Sequence, residues 1–268
     1  MLMADPITKE TSAGQAEPNT AKSSCSFLSL RDKVAVVTGA SSGIGKAISL
    51  TLAAEGAQVC LVGRNTETLE EVAKAAHAHS PFSRACRADL TRDQDIRFIA
   101  ENLERDGGRV DVLVHSAGEI HHADHADAKV ADLDAQYRAN VRGPYYLTQE
   151  LLPLLRRGPG QIVFINSSRG LQGRAHAGQY AATQHAVKAI ADSLREEINR
   201  DGIRVLTVYL GRTDTPRTEQ LFRDERKPYR PELLLQPEDV AAMVVHALKM
   251  PRTAEVTDMS IRALLKSY

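Results

Sequence analysis

Ser167 and Tyr180 stand thirteen residues apart in a chain of 268 and carry the two groups that carbonyl chemistry asks of a protein. Moving a hydride onto or off a carbon needs a hydride carrier, a group that exchanges the oxygen's proton, and hydrogen bonds that hold that oxygen. A hydroxyl and a phenol converging on one oxygen meet the last two needs. Ser167 lies in Asn166-Ser167-Ser168-Arg169-Gly170, just after an apolar run, and Tyr180 opens a long helical stretch. Taken singly, they read as a capping serine and a packed helix tyrosine. Only their meeting would make chemistry.

A site for the carrier is indicated near the start of the regular part of the chain. Thr38-Gly39-Ala40-Ser41-Ser42-Gly43-Ile44-Gly45 joins a β-branched run, Val34–Thr38, to helical periodicity over 44–55. A tight strand-to-helix turn built from residues without a Cβ lets backbone amides approach a pyrophosphate, and the helix N-terminus adds a positive partial charge. Gly39, Ser41, Ser42, Gly43, Ile44 and Gly45 are therefore candidate cofactor contacts; a glycine-rich turn without a ligand is the alternative. The next strand ends in Val62-Gly63-Arg64-Asn65. NAD-selective sites usually place Asp or Glu here, about 20 residues after the glycines, to hold the ribose 2′-OH. A carboxylate would repel a 2′-phosphate, whereas Arg64 can pair with it, so NADP(H) is expected over NAD(H). A solvated surface arginine is the competing reading. Asp89, with Leu90 beside it, follows the third strand and is suitably placed to accept from the adenine amine, unless it serves only a helix start near Thr91.

Short apolar strands at 34–38, 58–62, 84–88, 110–115, 161–166, 204–209 and 254–261 alternate with helical stretches at 44–55, 67–78, 131–155, 178–199 and 237–249. That alternation predicts an α/β fold: one doubly wound Rossmann-type domain, its parallel seven-stranded sheet covered by helices on both faces. It spans about residue 31 to the end. Ligands in such sheets bind beyond the carboxyl ends of the strands. Residues 1–30, rich in Ser, Thr, Ala, Glu and Pro, read as a disordered tail without the pattern of a signal peptide.

Lys plus Arg and Asp plus Glu both total 34, so the formal net charge is zero. Nothing points to nucleic acid or to a membrane, and no apolar run reaches the ~18–20 residues needed to span one. Three scattered cysteines (Cys25, Cys60, Cys86) fit a reducing, cytoplasmic setting. His121, His122 and His125 lie near Asp124 and Asp127, a composition that binds zinc when the groups converge. The segment reads instead as a polar loop on the rim of the site, and no metal is expected.

Thr38-Gly39-x-x-x-Gly43-x-Gly45, Asp89, Ala117-Gly118, Asn140, Ser167, Tyr180 and Gly211-x-x-x-Thr215 occur in one order and spacing. On these residues the chain resembles the short-chain dehydrogenase/reductase family over about 31–260. The resemblance implies hydride exchange between a nicotinamide and a carbonyl or secondary alcohol, and association into homodimers or homotetramers. It implies that Ser167 polarises the substrate oxygen and Tyr180 exchanges its proton, Ser167 being preferred to Ser168 because the family's Ser-x-x-Gly spacing runs from it to Gly170. Asn140, in the long fourth helix, would hold a water of the proton relay. Ala117 and Gly118 would leave room for the cofactor, and Gly211, the Thr213 amide and the Thr215 hydroxyl would meet the nicotinamide carboxamide. Residues 216–235 would form a flexible cover, whose Arg217, Arg223 and Arg226 either greet an anionic substrate or, more simply, face water.

Three positions depart from the family pattern. Gln184 stands where Tyr-x-x-x-Lys requires a lysine that binds the nicotinamide ribose and lowers the tyrosine pKa. A free phenol, with pKa about 10, is only ~0.1% ionised at pH 7. Glutamine can still bond the ribose but adds no charge. Oxidation, which needs tyrosinate, should suffer most, so carbonyl reduction is expected; a nucleotide-binding protein with weak or no catalysis is the alternative. Lys188, one helical turn further on, would reach the site or, more simply, face solvent. His115-Ser116 replaces the usual Asn-Asn, and Leu210 the usual proline before Gly211.

Overall fold

The computed structural model describes residues 27–265. Seven strands, β1 (Val34–Thr38), β2 (Gln58–Gly63), β3 (Arg84–Arg87), β4 (Val112–His115), β5 (Gln161–Ser167), β6 (Arg204–Leu210) and β7 (Asp258–Ile261), form one parallel sheet in the order β3-β2-β1-β4-β5-β6-β7. The helices are α1 (Gly43–Ala54), α2 (Thr66–His77), α3 (Asp93–Arg105), α4 (Val130–Tyr137), α5 (Gly143–Leu155), α6 (Gly178–Ile198), α7 (Pro216–Asp224) and α8 (Pro237–Leu248).

The two-residue period of a strand sorts its side chains onto opposite faces. Ala35, Val37, Val59 and Leu61 pack with α1, α2 and α8 on one face, while Val36, Cys60 and Val62 pack with α3, α5 and α6 on the other. Both faces are thus dry, which explains why the strands read as unbroken apolar runs. Cys60 and Cys86 lie in the second of these cores as free thiols. Among the described residues, no helix is long and apolar enough to cross a membrane.

Three expectations change. The helix expected over 131–155 is two helices, α4 and α5, joined by a π-helical turn at Arg138–Arg142. Pro144 has no N–H, so it cannot close the α-helical bond to the carbonyl of Asn140, and the turn widens there without interrupting the apolar pattern. Of the tail expected over residues 1–30, residues 1–26 lie outside the described part, but 27–30 pack on the domain. Leu28 N donates to Lys249 O at 2.7 Å, the Phe27 ring sits 5.0 Å from that of His246, and Leu30 is buried in the core. Three residues of that stretch, Phe27, Leu28 and Leu30, are apolar, and the end of α8 offers them a surface. The cover, finally, expected over 216–235 without assigned elements, carries α7 and a 3₁₀ turn at Pro231–Leu233.

Candidate active site

The strand order reverses direction between β1 and β4, and the loops leaving their carboxyl ends diverge to open a crevice of about 1120 Å³. Such a switch point is where open α/β sheets bind ligands. Gly39 has φ +67°, and a Cβ there would stand 2.9 Å from the Ala117 backbone; a Cβ on Gly45 would collide with the Gly39 carbonyl oxygen. No other residue type fits this turn. Ser42 is the N-cap of α1, its side chain makes no capping bond, and the helix's first turn carries no acid. The turn therefore offers backbone N–H groups and hydroxyls, uncompensated by negative charge, to an anion in the crevice. Thr38 ties the two loops together: its Oγ1 donates to Val114 O at 3.3 Å and accepts from Ser116 N and Ala117 N at 3.0 and 3.1 Å.

Arg64, at the end of β2, lines the crevice and is ion-paired with Glu119, Nη1 to Oε1 3.1 Å. Asp89 also lines it, with Leu90 next to it. Its Oδ1 accepts from the amide and hydroxyl of Thr91 at 2.9 and 2.8 Å, the local turn that was its alternative reading. Partial burial pushes this carboxyl up, but the Thr91 bonds and the nearby Arg64 hold it below the ordinary carboxylate range.

Ser167 and Tyr180 face each other in the same crevice. Burial raises the Tyr180 phenol above its ordinary pKa, and a hydrogen bond with the Ser167 hydroxyl, then Arg217 and Arg169, draw it partly back. Ser167 Oγ also accepts from Arg169 N at 3.1 Å. Asn166 fixes this arrangement, its Oδ1 accepting from Ser167 N at 2.6 Å and its Nδ2 donating to the Gln184 carbonyl at 3.0 Å. Asn140 sits in the π turn, and both its amide hydrogens are committed, Nδ2 donating to Glu119 O at 2.9 Å and Thr183 Oγ1 at 3.1 Å, while Oδ1 accepts from Glu119 N. Its side chain is a clamp on the β4 loop, and its backbone carbonyl is the group Pro144 leaves open. Gln184 is buried on the crevice wall, its side-chain Nε2 making a long 3.4 Å contact to Thr183 Oγ1. Lys188 lies outside the crevice, paired with Asp192 at 2.5 Å.

The short chain dehydrogenase family matches residues 33–226. The chain belongs to that family. An uncharacterised oxidoreductase of Staphylococcus epidermidis is 35% identical over 234 residues, covering 87% of this chain and 98% of its own. Among solved structures, a short chain dehydrogenase from Shigella flexneri complexed with NADP superposes with TM-score 0.80 at 29% identity, covering 87% of this chain and 98% of the other. An alcohol dehydrogenase from Thermococcus sibiricus complexed with 5-hydroxy-NADP gives TM-score 0.80 at 25% identity, with 89% and 99% covered.

In this member of the short chain dehydrogenase family the cover makes several contacts of its own. Gly211, Thr213 and Thr215 line the crevice, but the Thr215 hydroxyl is engaged as the N-cap of α7, accepting from Thr218 N at 3.1 Å. Arg212 grips Glu225 through two bonds of 2.8 and 2.9 Å and stacks 4.6 Å from the Phe222 ring centroid. Glu225, though burial pushes it up, is brought down to about 2 by Arg212 and Lys227. The histidines disperse: His122 Nδ1 lies 3.5 Å from Glu225 and its ring 6.3 Å from that of Tyr180, His125 packs on Gly178, and His121 turns its amide to Gln136. Among the described residues no three ligand-type side chains gather as for a metal. Glu119, Asn166 and Arg212 escaped the sequence reading. Glu119 directly follows Ala117-Gly118 and Asn166 directly precedes Ser167, so adjacency to a motif was the available signal for both.

Proposed function

We propose that the protein is an NADP(H)-dependent oxidoreductase that exchanges hydride between the nicotinamide and a carbonyl or secondary alcohol, favouring carbonyl reduction. The observation carrying this reading is that Ser167 and Tyr180 line one glycine-lined crevice, near enough for the serine hydroxyl to act on the phenol. The dinucleotide, when bound, supplies or accepts the hydride. Gly39, Ser41, Ser42, Gly43, Ile44 and Gly45 cradle its pyrophosphate, Arg64 pairs with the 2′-phosphate, and Asp89 and Leu90 border the adenine. Ala117, Gly118, Gly211, Thr213 and Thr215 would border the nicotinamide half, and Gln184 would offer its amide to the ribose. NADP is supported by the guanidinium at the end of β2 and by the NADP-type ligands named for the Shigella and Thermococcus proteins.

Ser167 holds the substrate oxygen by donating to it, and Tyr180 gives that oxygen a proton from Oη. A phenol raised by burial is neutral near pH 7, the form that an acid must have and the wrong form for a base. The Asn140 carbonyl holds a water through which the phenol recovers its proton.

Loss of the NADPH absorbance band with a panel of ketones and aldehydes tests this reading, with Tyr180→Phe as control. Turnover in the wild type that vanishes in the variant is expected. NADPH binding without turnover on any carbonyl would favour the second reading, a nucleotide-binding member with little catalysis, which Gln184 alone supports.

A further inference from the structure

Gln184 deprives the phenol of the fixed cation that the family pattern places one helical turn along α6, and Lys188 spends its charge on Asp192. The crevice nevertheless receives a cation from another direction. Arg217 is the second residue of α7, set there by Pro216, whose ring fixes φ for a helix start, and by the Thr215 cap. Its Nη1 lies 4.0 Å from the point where a Cβ on Gly118 would stand, and Asn140 Oδ1 lies 2.9 Å from the same point. Arg217 thus lies against the β4 loop, on the same crevice as Ser167, Tyr180 and Gln184.

Three of the neighbouring arginines are neutralised by carboxylates. Arg64 is matched by Glu119, Arg212 by Glu225 and Arg223 by Glu219. Arg217 has no hydrogen-bond or ion-pair partner among the described residues, though Glu119 and Tyr180 are both near enough to act on it electrostatically. Arg217 is exposed as a residue while lining the crevice, and a guanidinium does not give up its proton, so it holds a full charge at the crevice edge.

We propose that Arg217 supplies, from the cover helix, the positive charge that Gln184 does not, and so stabilises the ionised form of Tyr180 that hydride and proton exchange passes through. This rests on the oxidoreductase reading. Arg217 is a positioning residue for charge: it acts through the phenol. The groups facing that phenol are Ser167 at the end of β5, Arg169 in the following turn, His122 from the β4 loop and Arg217 from α7. His122 is kept towards neutrality by burial, and Arg169 acts on the phenol less than Arg217 does. Because the charge arrives on α7, it reaches the proton donor from the cover side of the crevice, whereas a lysine at 184 would reach it from α6.

The chain has seven tyrosines and no tryptophan, so phenolate absorbance can be followed without indole interference. Subtracting the titration of Tyr180→Phe from that of the full chain isolates Tyr180. In Arg217→Gln the difference curve should move to higher pH, with about tenfold less tyrosinate at a given pH. Arg217→Lys should leave it near the wild-type position, and adding Gln184→Lys to Arg217→Gln should bring it back. Where turnover is seen, the acidic limb of alcohol oxidation should move in step. A Tyr180 curve unmoved in Arg217→Gln overturns the proposal, as does a variant that changes only KM. The optical titration decides this even if the wild type turns over no carbonyl, the outcome that would defeat the oxidoreductase reading instead.

Discussion

Arg64 and Glu119 meet across the crevice at 3.1 Å, one from the end of β2 and the other from the loop after β4. Since β1 lies between those strands, the ion pair spans the exit of β1, where the glycine turn begins. A 2′-phosphate competing for Arg64 must displace Glu119. The arginine side chain is 65% exposed, and such pairs contribute about 0–1 kcal/mol, so the cost to the ligand is small but measurable.

Glu119→Gln should therefore bind NADPH about twofold to fivefold more tightly, read by calorimetry at low salt. Arg64→Ala should lose tenfold or more for NADPH, on the order of one charge-assisted contact, with NADH little changed. Equal losses for both dinucleotides in Arg64→Ala would take the 2′-phosphate away from this residue.

Tyr180→Phe should lower kcat by about 10²–10⁴, the usual yield of a positioned proton donor, and leave the NADPH dissociation constant within about twofold. Ser167→Ala should cost on the order of 10² in kcat. Ser168→Ala, with its hydroxyl outside the phenol's hydrogen bond, should keep most of the activity.

Burial raises the Tyr180 phenol, which sets the sign of the pH dependence. Reduction should stay level through neutral pH, because its acid is already protonated. Oxidation at saturating alcohol should climb about tenfold per pH unit as tyrosinate forms. Gln184→Lys should move that rise to lower pH and raise kcat at pH 7, more for oxidation than for reduction. Superimposable oxidation profiles for the two proteins would mean that position 184 has no charge role.

His115 gives a separate prediction about stability. It is buried against Phe164 at 4.8 Å, bonded through Nε2 to Thr148 Oγ1 at 2.9 Å, and its Nδ1 has no hydrogen-bond partner among the described residues. Burial depresses its pKa from 6.5 to about 3. The unfolded chain thus binds a proton that the fold excludes, and stability falls as pH drops from 6.5 towards 3, by up to about 1.4 kcal/mol per unit. His122, also lowered by burial, acts in the same direction, while Glu225 contributes only below its ordinary 4.5. Between pH 6.5 and 5, His115→Asn should lose less melting temperature than the wild type.

What the sequence made legible was local. The apolar runs gave the strands because both faces of the sheet are covered, and the glycine turn was readable because no Cβ fits at Gly39 or Gly45. The spacing from Ser167 to Tyr180 was readable because one short loop joins β5 to α6. The partner of Arg64 was not, since 55 residues separate it from Glu119 and only the strand order brings them together. Neither was the place of Arg217 on the crevice, which Pro216 and Thr215 set, nor the π turn, which leaves the apolar pattern intact. Phe27–Leu30 was lost to the tail because four residues are too few to show a period.

Asn166 has a consequence for how such a protein can change. By gripping Ser167 with one end of its amide and the Gln184 carbonyl with the other, it welds strand and helix into a single jaw. The opposing jaw, with Arg212, Arg217 and Glu225, shares none of those fastenings. Substrate preference can therefore drift by rebuilding the second jaw, while the acid and its companion hydroxyl keep their mutual aim.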